Sequence, residues 1–136
     1  MKAAETHEKL RSARVARLAT LRPDGSPHLI PIVFALACEG LVTAIDGKPK
    51  SELLPARIRN IDQNPRVCVL ADEYLEDWSQ LWWVRVDGTA TIHRSGPIYE
   101  QGTEALRDRY LQYGTVPIPG PVIHVDIERV TGWSGG

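Results

Sequence analysis

Four cations, Lys48, Lys50, Arg57 and Arg59, are the residues whose types and spacing most clearly point to chemistry. Pro49 stiffens the loop that carries the two lysines, and Arg57 falls in the first turns of an expected helix. Cations grouped beside a helix start, where unpaired N–H groups point outward, suit a phosphate or carboxylate tail. A solvated charged loop is the alternative reading of the same residues. Gly47-Lys48 imitates the end of a nucleotide-binding loop, but Val42 stands where the earlier Gly is required. Pro49 stands where Ser or Thr must hold magnesium, so that motif is rejected.

The other reactive side chains offer less. The four histidines, His7, His28, His93 and His124, have no ligand spacing from one another or from a cysteine, so no metal site is expected. Cys38 and Cys68 each lie inside an apolar run and read as reduced core residues. There is no Gly-rich dinucleotide fingerprint. His28 has no local partner and reads as a strand residue beside a turn. No side chain is assigned as catalytic. Trp78, Trp82 and Trp83 lie close together, and consecutive Trp82 and Trp83 must point to opposite faces of one strand. One can enter a core; the other needs a second cover, and a homodimer is the expected one.

The elements that must position these residues follow from periodicity. Thr6 to Arg14 reads as a short helix with Thr6 as N-cap. Val15 to Leu21 is a strand, Pro23-Asp24-Gly25 a hairpin turn, and His28 to Cys38 the returning strand. Glu39-Gly40 turns into a third strand, Leu41 to Ile45. A helix over Leu54 to Gln63 buries Ile58 and Ile61 and stops at Asn64-Pro65. Arg66 to Ala71 is a strand, Asp72 to Gln80 an acidic loop, and Leu81 to Ile92 a long strand. Apolar residues from Tyr99 to Tyr113 repeat as an amphipathic helix ended by Gly114. Val122 to Val130 is the last strand, with Ile123, Val125 and Ile127 inward. The expected fold is mainly β with flanking helices, a six-stranded antiparallel barrel.

Composition limits the function classes. The 136 residues are 43% hydrophobic, enough for a single domain with one core. A net charge of −1 argues against binding nucleic acid by bulk positive charge. The longest apolar stretch, Leu29 to Cys38, is too short to span a bilayer. The first residues carry no apolar signal segment, so a cytoplasmic location is expected.

The stretch Arg14-Val-Ala-Arg-Leu-Ala-Thr-Leu-Arg-Pro-Asp-Gly-Ser-Pro-His-Leu-Ile-Pro-Ile-Val-Phe34 resembles the opening hairpin of the flavin and deazaflavin split-barrel proteins, the pyridoxamine 5′-phosphate oxidase-like group. Arg59-Asn-Ile-Asp-Gln-Asn-Pro-Arg-Val67 and Val86-Asp-Gly-Thr-Ala90 are similar to its later signatures. Asp46-Gly-Lys-Pro-Lys50, Glu76-Asp-Trp-Ser79 and Leu81-Trp-Trp-Val-Arg-Val-Asp-Gly88 resemble a branch of probable coenzyme F420-dependent enzymes. The resemblance runs from about Ala13 to Trp133.

That resemblance implies a dimeric six-stranded split barrel with cofactor in grooves between the subunits. His28, Leu29, Ile30, Pro31 and Ile32, with Ala44 and Ile45, would line the ring system. Lys48, Pro49, Lys50 and Arg57 would hold the phosphate-bearing tail. Arg57 lies eight residues before Pro65, where flavin-binding relatives place a basic residue. Trp78 matches an aromatic loop position near the cofactor. The implied activity is an F420H2-dependent reductase acting on a small-molecule acceptor, with FMN as the alternative cofactor and a non-catalytic carrier as the alternative role. The chain has Arg129-Val-Thr-Gly-Trp133 instead of the oxidase's Arg-Leu-x-Pro ending, which points away from pyridoxamine phosphate as substrate.

Overall fold

A computed structural model describes residues 1–45, 55–118 and 120–136. Seven strands form one antiparallel sheet: β1 (Ala16–Leu21), β2 (Pro27–Ile32), β3 (Ala35–Ala37), β4 (Gly40–Ala44), β5 (Arg66–Glu73), β6 (Trp82–His93) and β7 (Val122–Ser134). Three helices flank it: α1 (Ala3–Ser12), α2 (Ala56–Gln63) and α3 (Pro97–Arg109). The spatial order is β2-β1-β5-β6-β7-β4-β3. β2 and β3 therefore lie at opposite edges of the sheet, yet only Val33 and Phe34 separate them in the chain. Two residues reach about 7 Å at most, so the edges must curl together into a barrel. No ladder joins β2 to β3, and the barrel is split there.

The break at Val33–Phe34 corrects the single strand expected over His28 to Cys38 and makes the strand count seven, not six. Its cause is side-chain capture of the backbone. Tyr110, just past α3, accepts a hydrogen bond from the Phe34 N–H at 3.1 Å. Its hydroxyl also lies 2.8 Å from the Phe34 carbonyl and 2.9 Å from that of Arg14. Thr43 donates to the Val33 carbonyl, and Arg109 to that of Phe34, each at 2.8 Å. Tyr110 and Arg109 lie 76 and 75 residues from Phe34, where local patterning cannot show them.

The barrel interior is filled by alternate residues of every strand, among them Leu18, Ile32, Leu41, Val69, Val84, Val86 and Val125. A helix plugs each end. α2 sends Ile58 and Ile61 into this core, as expected, and Pro65 beyond it accepts from the Ala90 N–H. α1 sends Leu10 in at the other end, where Lys9 lies over the Trp82 ring. α1 begins earlier than expected. Thr6 is not its N-cap; it is buried inside the helix and donates back to the Ala3 carbonyl.

α3 lies outside the barrel and forms a second core with Val42, Ala44, Leu106, Tyr110, Tyr113 and Val122. β4 is buried along its whole length because it serves both cores. α3 stops at Arg109 and a 3-10 turn, Leu111–Gly114, carries Tyr113. β5 runs on to Glu73 and a 3-10 turn at Trp78–Gln80 interrupts the expected acidic loop. β7 continues to Ser134, with a register shift opposite Asp87/Gly88 that turns Ile127 only partly inward. Among the described residues no helix lies on the outer faces of β2, β1, β5 and β6. There Trp83 pairs in the ladder with Trp133, and Leu29 is 65% exposed. Among the described residues no helix is long and apolar enough to cross a membrane.

Candidate functional site

The β1–β2 hairpin is held by its turn. Gly25 takes a φ of 86°, where a side chain would be strained, and Asp24 accepts from the Ser26 N–H and hydroxyl at 3.0 and 2.6 Å. Arg22 donates to the Pro27 carbonyl. This register places His28 opposite Thr20, on the same face of the sheet. Thr20 is buried and its Oγ1 accepts from Asn60 of α2 at 3.0 Å. The Thr20–Asn60 pair thus locks the middle of α2 against the hairpin, with Arg57 one turn earlier on the same helix.

His28 is the chemically distinctive group of this corner. Its Nδ1 is buried and has no hydrogen-bond partner among the described residues. Burial, with Arg22 and Arg57 nearby, pushes the imidazole below its usual pKa and favours the neutral ring. A buried ring nitrogen lacking a partner costs free energy unless a ligand or water supplies one. Two guanidinium groups and an unmatched imidazole nitrogen together fit an anionic ligand with hydrogen-bonding oxygens.

The expected site residues separate into groups. Of the β2 residues, His28, Ile30 and Ile32 face inward, while Leu29 and Pro31 face the bare outer side. Alternation permits no other arrangement for consecutive strand residues. Ala44 packs under α3, and Ile45 enters the barrel core, where Gly120 and Pro121 exchange backbone hydrogen bonds with it. Lys48, Pro49 and Lys50 lie outside the described residues. Ile45 and Pro55 bracket the segment that carries them.

Trp78 is 68% exposed and lies at the far end of the sheet, where Gly135 follows β7 and bonds Leu81. Along β5, the hairpin end lies beside Cys68 and the Trp82 end beside Glu73. That separates His28 from Trp78 by on the order of 15–20 Å within one protomer. Sequence reasoning missed Thr20, Arg22 and Asn60. Folding the hairpin about Asp24-Gly25 puts Thr20 opposite His28, and Asn60 between Ile58 and Ile61 is a polar residue on an apolar side; both signals were present.

The cysteines are not the core residues expected: Cys38 sits in the β3–β4 turn and Cys68 on the outer side of β5, both half-buried, and burial raises each thiol's pKa, which favours the protonated form. Among the described residues no group of His, Cys, Asp or Glu is arranged to hold a metal.

The model of the family described as pyridoxamine 5′-phosphate oxidase matches residues 3–134. The chain belongs to this family. Among solved structures, a conserved hypothetical protein of Mycobacterium tuberculosis superposes with a TM-score of 0.80 at 22% identity, over 99% of this chain and 86% of that one. An FAD-binding protein of Mesorhizobium loti has a TM-score of 0.68 at 26% identity, over 97% and 94%. A heme-binding protein of Mycobacterium smegmatis has a TM-score of 0.79 at 21% identity, over 100% of this chain and 55% of that one. None of the curated proteins matches the chain. Family and split-barrel fold are therefore as the sequence implied.

Proposed function

We propose that the protein is an F420H2-dependent reductase working as a homodimer, with FMN as the alternative cofactor. The observation that carries this reading is the His28 corner: a buried, unmatched Nδ1 beside Arg22 and Arg57, at the start of α2. The similarity to an FAD-binding protein supports a ring-binding groove on this fold. Bound deazaflavin supplies a hydride at C5 for an electron-poor acceptor, chemistry that belongs to the cofactor. The chain's own part is to hold and orient. Arg57 and, in the segment from 46 to 54, Lys48 and Lys50 would neutralise the tail, the β2 backbone would lie along the ring, and His28 would offer it a hydrogen bond. No side chain is needed as acid, since solvent can return the proton.

A second copy completes the site in this reading. Trp78 lies beyond one end of the bare outer face, and the β1–β2 hairpin, whose inner side carries His28, lies at the other end. A two-fold axis through that face brings one protomer's Trp78 toward its partner's His28 and covers Trp83, Trp133 and Leu29.

Absorption spectra of the purified protein, followed by F420 and FMN titrations, test the cofactor. Tighter F420 binding and F420H2 oxidation by a quinone, enone or tetrapyrrole panel are expected. Tighter FMN binding at both low and high salt overturns the F420 assignment and leaves the fold untouched. The heme-binding neighbour favours one further reading, a carrier, which stoichiometric binding without turnover would support.

A further inference from the structure

On the side of the barrel away from the His28 corner, a cavity of 490 Å3 opens between α1, the β3–β4 hairpin and β7. Its size lies in the range that holds small organic ligands. Leu10, Leu36, Ile127 and Val130 give it apolar walls, and His7 and Glu39 are its ionisable side chains among the described residues. Among the described residues no Lys or Arg lines it, so it lacks the positive charge of the cationic corner.

The turn that presents Glu39 is strained. Cys38 and Glu39 are the two central residues of the hairpin, and both take positive φ, 56° and 57°, where Asn-Gly or Gly is the relaxed choice. The neighbouring residue cannot move away: a Cβ on Gly40 would stand 2.3 Å from the Val125 carbonyl. His124 holds the turn from below through a 2.9 Å hydrogen bond between its Nε2 and the Cys38 carbonyl. An exposed carboxylate carried on a strained backbone at the rim of an apolar cavity is a feature that stability alone does not favour.

We infer that this cavity is a second small-molecule site, selective for an apolar amine whose ammonium group pairs with Glu39. The apolar body would lie between Leu10 and Leu36, with His7 as a further hydrogen-bonding group at the mouth. This inference does not depend on the cofactor reading.

The test uses three isosteric probes, 4-phenylbutylamine, 4-phenylbutanol and 4-phenylbutyrate, titrated into 15N-labelled protein. The amine should shift the amides of Thr6, His7, Gly40 and Ile127 and bind at least tenfold more tightly than the carboxylate. Glu39→Gln should weaken the amine about tenfold and leave the alcohol unchanged. Glu39→Gly should also lose the amine preference while melting a few degrees higher, because glycine relaxes the turn. Equal or tighter binding of 4-phenylbutyrate, an unaltered amine affinity in Glu39→Gln, or shifts confined to other amides would overturn the inference.

Discussion

His28 shows how one residue's surroundings set both its charge and its use. Burial comes first, and Arg22 and Arg57 add to it; each depresses the imidazole pKa in the folded protein. The unfolded chain, with a histidine pKa near 6.5, then binds more protons than the native state as pH falls below that value. Stability therefore rises with pH up to about 6.5 and is lost on acidification below it. His93, shifted the same way by burial and by His124, adds to the effect. His28→Gln should flatten this slope below about pH 6.5 in urea melts without removing it. An anionic tail beside the ring works in the opposite direction, so cofactor binding should raise the His28 pKa, measurable by its ring 1H shifts. Arg57→Ala should weaken cofactor binding roughly ten- to a hundredfold, since a charge-assisted contact contributes about 1.5–3 kcal/mol. An unchanged affinity in fluorescence titration would remove Arg57 from the tail clamp.

At the scale of elements, side chains that cross between them decide the architecture. Asn60→Ala would leave the buried Thr20 hydroxyl without its α2 partner, at a cost of about 1–3 kcal/mol. Urea denaturation would show this as a lower midpoint at unchanged slope, and a drop in cofactor affinity should accompany it as α2 loosens. Tyr110→Phe should destabilise by a similar amount, because the Phe34 N–H then lacks its partner. These contacts also explain what could be read in advance. The strands, the hairpin turn at Asp24-Gly25 and the buried side of α2 follow from period and turn chemistry alone. The Val33–Phe34 break does not, since Tyr110 and Arg109 cause it from more than seventy residues away. The early start of α1 was equally hidden: Thr6 looks like a cap, yet its hydroxyl bonds back within the helix. In the site, the cations and His28 were legible by type, whereas the distance between His28 and Trp78 depends on ladder registers that only the folded sheet defines.

For the whole molecule, the decisive asymmetry is that α3 covers one outer face of the barrel and, among the described residues, no helix covers the other. Trp83, Trp133 and the 65% exposed Leu29 should be buried between two copies. Sedimentation at micromolar concentration should give about twice the chain mass of 15.1 kDa. Trp83→Glu should shift the protein towards monomer and abolish cofactor binding together; a monomer that binds as tightly as wild type would refute the shared groove. The strand order has a further consequence for how the molecule is made. β7 lies between β6 and β4, and it alone joins the strands before α2 on that side to the rest of the sheet. While the chain is still on the ribosome, β4 has an unpaired edge and the barrel cannot close until residues 122–134 have left the exit tunnel. Closure is thus deferred until β7 has emerged, and until then the growing chain shows the cell's chaperones the same apolar strands that later form its core.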